Sequence, residues 1–202
     1  MKLFYSPGAC SLSPHIVLRE AGLPFTLERV DLKAHKTANG ADFFAINPNG
    51  YVPALQLDEG QLLTEGPAIV QYIADRKPDS HLAPAAGSLE RYQLQEWLNF
   101  ISTELHKTFS PLFHPQTPDD AKKAALEKLG KRFEHVAQKL GSNAFLMGKQ
   151  FSVADAYLFV MLRWASIVNV DLKRFPALGS FYERVGQRPA VKAALEAESA
   201  KA

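Results

Sequence analysis

The first forty residues alternate short apolar runs with a helix-like stretch. Residues 2–6 (KLFYS) are rich in aromatic side chains and stop at Pro7-Gly8, which predicts a buried strand. Residues 13–22 begin with Ser-Pro and end with glycine, a pattern that predicts a short helix. Residues 26–32 (TLERVDL) predict a second strand, and the polar stretch 33–40 follows it.

The next forty residues predict a turn, a hairpin and another helix. Residues 42–46 predict one helical turn before an Asn-Pro-Asn-Gly breaker. Residues 52–57 and 61–64 flank an Asp-Glu-Gly turn, which predicts a β-hairpin. Gly66-Pro67 then opens an amphipathic helix. Together these elements predict an α/β domain over residues 1–78.

The pattern changes after Pro78. Residues 79–87 (DSHLAPAAG) are small and aperiodic, so they predict a linker. Beyond them the apolar positions follow helical spacing, and one long helix is predicted over residues 88–109. Further helices are predicted over residues 117–140, 152–168, 176–187 and 189–198, the second of them opened by a Ser-x-x-Asp capping box. Residues 88–202 therefore predict an all-helical domain.

Composition and charge exclude several classes of function. Lys and Arg number 23 and Asp and Glu 21, so the 202-residue chain has a net charge of +2 and no basic patch for nucleic acid or membrane. No apolar stretch approaches the ~18 residues of a membrane span, and the first ten residues do not resemble a secretory signal. These features predict a soluble, cytoplasmic protein.

The chain has one cysteine, which excludes an internal disulfide, a CxxC pair and a cysteine-built zinc cluster. Its histidines show no HxxxH or HExxH spacing, so no metal site is expected. If the thiol of Cys10 has a chemical role, the second sulfur must come from another molecule.

Cys10 lies between the first predicted strand and the first predicted helix. The N–H groups and the dipole of a helix N-terminus favour a thiolate at such a position. The spacing Cys10-x-x-Ser13 is a CxxC motif in which serine replaces the resolving cysteine. The alternative is that Cys10 is a small buried apolar residue, as free cysteines commonly are.

Val52-Pro53 opens a predicted strand, where proline fits a strand edge or an irregular entry. Only about 5–6% of X–Pro bonds are cis in folded proteins, so the residues alone predict a trans peptide. If the bond were cis, the backbone of Val52 could pair with an extended, peptide-like ligand.

Glu65-Gly66 stands at the start of the next helix. Helix N-terminal N–H groups can bind a carboxylate, Gly66 allows its close approach, and Glu65 could hold an ammonium group. Such a pair suits the zwitterionic headgroup of an amino acid. The alternative is that Glu65 only complements the helix dipole.

Asn99, Thr103 and His106 follow one another at i, i+4 and i+7 on the long helix. This polar stripe is predicted to lie opposite the apolar seam. It is either a binding surface or the ordinary solvent face of an amphipathic helix.

Five motifs resemble one known family, in the expected order and over essentially the whole chain. They are YSPGACSLS at 5–13, NPNGYVP at 47–53, LTEGPAI at 63–69, EWLNFISTELHK at 96–107 and FSVADAYL at 151–158. They are similar to the beta-class bacterial glutathione S-transferases, and to the members associated with biphenyl degradation in particular. The resemblance implies a thioredoxin-like N-terminal domain, an all-α C-terminal domain and a homodimer with a site at each domain junction.

The resemblance also implies roles for residues of the N-terminal domain. Cys10 would face the glutathione sulfur and form a mixed disulfide with it. Val52, ahead of a cis Pro53, would pair with the cysteinyl backbone of glutathione, and Glu65 and Gly66 would hold its γ-glutamyl end.

Two assignments in this domain stay open. The family often has a lysine in the loop after the second strand, and either His35 or Lys36 would here meet the glycyl carboxylate. Tyr5 and Ser11 are alternatives to Cys10 as the group that activates the thiol, and Cys10 is the preferred one.

In the helical domain, Asn99 and Thr103 would line the glutathione pocket, with Asn99 contributed by the same or the partner subunit. His106 would lie near the sulfur as a hydrogen-bond partner or a base. A small hydrophobic electrophile would bind under Phe109, Phe113 and Trp164.

The resulting hypothesis is an enzyme that conjugates glutathione, as co-substrate, to hydrophobic electrophiles without a metal. Cys10 adds thiol transfer or reductive dehalogenation as a second activity. Two alternatives remain: a monothiol disulfide oxidoreductase that depends on glutathione, and a non-catalytic binding or regulatory protein, as some transferase-like partners of RNA polymerase are.

Overall fold

A computed structural model describes residues 1–199 of the chain. It divides into two compact units, one formed by Met1–Leu82 with the segment from Arg188, the other by Ala83–Gln187. None of the helices in this described part is long and apolar enough to cross a membrane.

The first unit is built on a five-stranded mixed sheet. Its strands are β1 (Lys2–Tyr5), β2 (Thr26–Asp31), β3 (Lys36–Thr37), β4 (Ala54–Gln56) and β5 (Leu62–Thr64). Their order is β3-β2-β1-β4-β5; β1 and β2 are parallel and the other pairs antiparallel. Helices α1 (Leu12–Glu20) and α2 (Gly66–Arg76) complete a thioredoxin-like domain.

Apolar side chains cover both sides of the strands of this sheet. Leu3 of the central strand is fully buried and pairs in register with Leu27 and Leu55. Helices α1 and α2 pack together through fully buried aliphatic side chains. A separate cluster contains Phe4, Val30, Phe43, Val52 and Ala54, and it brings the start of β4 against β1 and β2.

Two predictions for this unit need correction. The polar stretch 33–40 contains β3, whose Thr37 pairs with Val30; two residues are too few to show a strand period. Residues 42–46 form a turn and not a helix. Ile46 N and Asn47 N both donate to Phe43 O, and Pro48 follows at once, so the turn cannot propagate.

The second unit is all-helical. Helix α3 (Leu89–Phe100) runs through a π-helical turn (Ile101–His106) into α4 (Lys107–Phe113), followed by α5 (Asp119–Leu140), α6 (Val153–Ile167) and α7 (Pro176–Gly186). The long helix predicted over 88–109 is thus confirmed, although it extends further and contains the π turn. Short 3-10 turns lie at Pro78–Ser80 and Leu172–Arg174.

The predicted capping box of α6 is present. The backbone N–H and the hydroxyl of Ser152 donate to Asp155 at 2.8 and 2.7 Å. The second carboxylate oxygen of Asp155 accepts from Leu146 N at 2.7 Å. Because both of its oxygens accept hydrogen bonds, the Asp155 carboxylate can be fully buried in the first turn of α6, a helix that is itself buried on nearly all sides.

The last helix, α8 (Pro189–Ser199), lies in the first unit, against α1. The sequence pattern instead predicts α8 as part of the helical domain over residues 88–202. Residues 200–202 lie outside the described residues. Arg188 donates to both carboxylate oxygens of Glu20, at 2.6 and 2.8 Å. Helical spacing shows which face of a helix is apolar but not which element covers it. The packing of α8 against α1 could therefore not be predicted.

Candidate active site

Cys10 lies in the turn between β1 and α1, one residue before the N-cap Ser11. Ser13 N donates to Cys10 O at 3.1 Å, so the residue already belongs to the first turn of backbone hydrogen bonds. The thiol is partly exposed, and its Sγ lies 3.4 Å from Val52 O, to which it donates. A partly exposed thiol at a helix start fits a reactive cysteine better than a buried apolar one.

The two hydroxyls near Cys10 have other partners. Ser11 is fully buried; its Oγ donates to Ser6 O at 3.3 Å and accepts from Ser6 N at 3.2 Å. Burial and the Glu198 carboxylate raise the pKa of Tyr5, so this phenol stays protonated. Ser13, at the position of a resolving cysteine, is buried, and its Oγ has no hydrogen-bond partner among the described residues.

The Val52-Pro53 peptide bond is cis. The prediction of a trans bond from the residues alone is therefore wrong, and the cis bond implied by the family resemblance is confirmed. Both residues are buried, and the carbonyl of Val52 is the group that accepts from Cys10. Two segments predicted separately from sequence are thus in contact.

Glu65 and Gly66 lie next to this pair. A Cβ placed on Gly66 would stand 3.9 Å from Cγ of Pro53. Glu65 is exposed, has a φ of 66°, and makes no side-chain cap bond to α2. Non-glycine residues with positive φ cost about 1–3 kcal/mol and cluster at ligand clamps, so this geometry favours a binding role over a capping role.

The two candidates for binding the glycyl carboxylate, His35 and Lys36, differ in their contacts and exposure. The Nδ1 atom of His35 lies 3.0 Å from Gly50 O, and its ring packs against the Phe44 ring at a tilt of 30°, with centroids 4.3 Å apart. Lys36 lies in the edge strand β3 with an exposed side chain. His35 is therefore held in place, whereas Lys36 is open to solvent.

In the helical unit, the predicted polar stripe is divided. Asn99 and Thr103 are exposed, and Thr103 Oγ1 donates to Asn99 O at 3.0 Å. His106 turns away from them: its Nδ1 lies 2.6 Å from the Tyr157 hydroxyl and its ring contacts Trp164 edge-on. The prediction that His106 shares their face is wrong, because the π turn changes the helical phase between them.

Burial and the neighbouring charge of Lys107 lower the pKa of His106 to about 4. The imidazole is therefore neutral at pH 7. Sequence reasoning missed its partner Tyr157, although Tyr157 and Trp164 are seven residues apart and so share one face of α6.

The predicted electrophile wall is an aromatic cluster. Phe109 stacks on Phe113 with centroids 5.9 Å apart, and Trp164 meets both rings edge-on at 5.6 and 5.1 Å. Phe109 and Trp164 are buried, whereas Phe113 is 43% exposed, so the cluster has an open edge. Such an edge can accept a flat apolar molecule.

A carboxylate near the end of the chain also reaches the Cys10 loop. Glu198 Oε2 accepts from Gly8 N at 3.1 Å, and its Oε1 lies 3.0 Å from His15 Nδ1. Arg19 Nε donates to His15 Nε2 at 2.9 Å, so His15 carries its proton on Nδ1 and donates it to Glu198. Gly8 and Glu198 are 190 residues apart in the sequence, and no local pattern signals their contact.

Within residues 1–199, no group of three or more His, Cys, Asp or Glu side chains is arranged to hold a metal ion.

Comparison with known proteins identifies the class. The family model "Glutathione S-transferase, N-terminal domain" matches residues 8–76, and "Glutathione S-transferase, C-terminal domain" matches residues 100–189. The glutathione S-transferase GstA of Escherichia coli O157:H7 is 50% identical over 201 residues, which cover all of both chains.

Solved structures agree with this class. BphK, a bacterial glutathione transferase solved as a ternary complex, is 60% identical with a TM-score of 0.98, covering 99% of this chain and 100% of the other. The beta-class enzyme of Sphingomonas chungbukensis is 51% identical with a TM-score of 0.96, covering 98% and 99%.

The chain therefore belongs to the glutathione S-transferase family. It is a glutathione transferase of the bacterial beta class, similar to BphK, and glutathione is its co-substrate.

Proposed function

We propose that this transferase binds glutathione in the first unit, with the thiol at Cys10, and conjugates it to a small hydrophobic electrophile. The observation that carries the proposal is the partly exposed Cys10 thiol 3.4 Å from the carbonyl of Val52. A cysteinyl residue of a bound peptide that pairs with the Val52 backbone brings its own sulfur to the same place.

The other end of glutathione is proposed to bind at Glu65 and Gly66. The exposed Glu65 carboxylate suits an α-ammonium group, and the Gly66 N–H at the start of α2 suits the α-carboxylate beside it. Either His35 or Lys36 is proposed to meet the glycyl carboxylate at the opposite end. The exposed cation of Lys36 and the fixed ring of His35 suit this role in different ways.

The helical unit is proposed to supply Asn99 and Thr103 to the glutathione pocket and His106 to the sulfur. These three assignments rest on the family resemblance. The aromatic cluster of Phe109, Phe113 and Trp164 is proposed to carry the electrophile, and its open edge at Phe113 supports this.

Cys10 is proposed to add a second activity, thiol transfer. Its thiolate attacks one sulfur of oxidised glutathione, the disulfide breaks, and a mixed disulfide on Cys10 and one glutathione thiolate result. In a dehalogenation, glutathione first displaces halide from carbon to give a thioether. Cys10 then attacks the thioether sulfur, the carbon leaves with the electron pair and takes a proton, and a second glutathione releases Cys10 as oxidised glutathione.

Intact-mass spectrometry after mixing with oxidised glutathione tests the role of Cys10. Because the chain has a single cysteine, any glutathione adduct reports this residue alone. We expect one adduct per chain, lost in Cys10→Ala and kept in Ser13→Ala. No adduct on the wild type, together with full activity of Cys10→Ala, would rule out the cysteine chemistry.

The monothiol oxidoreductase is the second candidate, favoured by the CxxS pattern of Cys10 and Ser13. Rates on a glutathione mixed disulfide and on an activated aromatic halide separate the two functions. A conjugation rate that exceeds the disulfide rate supports the transferase, and the reverse order supports the oxidoreductase. Failure to bind a glutathione resin would support the non-catalytic alternative.

A homodimer is also proposed. Leu89 and Tyr92, three residues apart on α3, are 68% and 60% exposed, which is costly for large apolar side chains on a monomer. Sedimentation equilibrium should give twice the chain mass for the wild type and a lower mass for Tyr92→Glu. A wild-type monomer at micromolar concentration would contradict this proposal.

We place the protein in the cytoplasm, because reduced glutathione is the thiol pool of that compartment and the chain forms no internal disulfide.

A further inference from the structure

The surroundings of His106 depend on the π turn at Ile101–His106. Residues advance by about 100° each in an α-helix, so residues 99 and 106 of a regular helix share one face. The wider π turn changes this phase, and the partly buried His106 contacts Tyr157 and Trp164 of α6. Glu104, which accepts from Arg132 Nε at 2.7 Å, ties the turn to α5. Isolated π turns are rare and frequently occur at functional sites.

The length of the contact with Tyr157 indicates which group donates. Its 2.6 Å separation is shorter than the range of about 2.7–3.2 Å for N–H donors to oxygen, whereas hydroxyl donors form shorter bonds, of about 2.5–3.0 Å when the acceptor is oxygen. A phenol O–H, with a pKa near 10, is a stronger donor than the N–H of neutral imidazole. The unprotonated imidazole nitrogen is also a better acceptor than a phenol oxygen.

We propose that Tyr157 donates its hydroxyl proton to Nδ1 of His106 and thereby holds the imidazole in the tautomer that carries its proton on Nε2. Tyr157 is then a positioning residue. The second nitrogen of His106 is a hydrogen-bond donor, and the ring has no lone pair left with which to accept a proton.

This tautomer has a consequence that rests on the proposed place of His106 beside the glutathione sulfur. A donor Nε2–H stabilises the thiolate, or the negative charge that develops on a leaving group, and does not remove the thiol proton. That proton is released to solvent. Of the two roles that the sequence left open for His106, hydrogen-bond partner or base, the geometry favours the first.

The charges around His106 are consistent with a neutral donor. Burial and the charge of Lys107, the first residue of α4, lower the pKa of His106 to about 4. The two side chains of α6 that contact the ring edge-on are aromatic, Tyr157 and Trp164.

The tautomer itself can be measured by long-range ¹H–¹⁵N correlation NMR on histidine-labelled protein at pH 7, with His106 assigned by its loss in His106→Gln. We expect a protonated Nε2 and an unprotonated Nδ1 in the wild type, and averaged shifts in Tyr157→Phe. Tyr182→Phe, which removes a phenol hydroxyl on α7, is the control and should leave the His106 signals in place. A protonated Nδ1 in the wild type overturns the proposal, whether or not Tyr157→Phe folds.

Kinetics give an independent readout. The amide of glutamine reaches about as far as Nε2 and donates a hydrogen bond but takes no proton. His106→Gln should therefore keep kcat within about threefold of wild type, whereas His106→Ala should lose about tenfold or more, as expected for a hydrogen bond to a charged group. Equal losses in the two variants indicate a base and overturn the donor role. Absence of conjugation by the wild type would refute the proposed function, while the NMR result would still decide the tautomer.

Discussion

At the scale of single residues, Gly50 shows how closely the loop before Val52 is packed. Gly50 has a φ of 70°, and a Cβ placed on it would overlap the ring of Phe44. The same ring packs against His35 at a tilt, and His35 forms a hydrogen bond with Gly50 O. The absence of a side chain at Gly50 therefore lets His35, one of the two candidates for the glycyl carboxylate, pack against the loop that leads to Val52.

Substituting Gly50 with alanine tests this packing. Gly60→Ala is a matched control, because Gly60 also has a positive φ, 93°, but open space around it. Gly60→Ala should lower the free energy of unfolding in urea by about 1–2 kcal/mol through backbone strain alone. Gly50→Ala should lower this free energy by about 1 kcal/mol more, because the half-exposed Phe44 ring must move away from the new Cβ. Equal losses in the two variants would show that Phe44 does not constrain the loop.

Residue-level reasoning predicted candidate site residues and missed some of their geometry. Cys10, Glu65 and Gly66 could be proposed from the sequence because strand, turn and helix-start signals are local. The cis bond of Pro53 was not, because residue identity alone favours trans. The contact of His106 with Tyr157 and Trp164 was also missed, since the spacing of apolar residues does not signal a π turn.

At the scale of elements, most boundaries followed from local chemistry. The helix α6 begins where its capping box predicts, and the hairpin strands flank the predicted turn. The strand β3 could not be predicted, because it has two residues and depends on its pairing with β2. Local signals therefore define long elements, and tertiary pairing defines short ones.

The α6 cap gives a prediction at this scale. Asp155→Ala leaves Ser152 N and Leu146 N without their acceptors in a buried position, at about 1–3 kcal/mol for each unsatisfied group. We expect the free energy of unfolding, measured in urea, to fall by about 3 kcal/mol. Asp171→Ala, which removes an exposed cap from a short 3-10 turn, should lose less than about 1 kcal/mol. Similar losses would mean that burial does not strengthen the cap.

At the scale of the whole molecule, residues near both ends of the chain meet beside the Cys10 loop. Glu198 of α8 accepts from Gly8 N and from His15 of α1. Two donors thus face two carboxylate oxygens, and Arg19 prevents His15 from changing its tautomer. The C-terminal helix therefore supports the loop that presents the thiol.

Glu198→Gln tests this link, because glutamine has one acceptor for two donors. We expect KM for glutathione to rise about threefold to tenfold, with a smaller change in kcat, and the free energy of unfolding to fall by about 1–3 kcal/mol. Glu196→Gln, on the exposed side of the same helix, should change none of these quantities. If KM stays at the wild-type value while stability falls, Glu198 supports the fold and not the loop.

The most direct test of the account is a crystal structure of the protein soaked with oxidised glutathione. We predict continuous electron density between the sulfur of one glutathione half and Sγ of Cys10, with its cysteinyl backbone paired to Val52 and its γ-glutamyl group at Glu65 and Gly66. Glutathione bound elsewhere, or a Cys10 thiol still bonded to Val52 O with no ligand density beside it, would contradict the central claim.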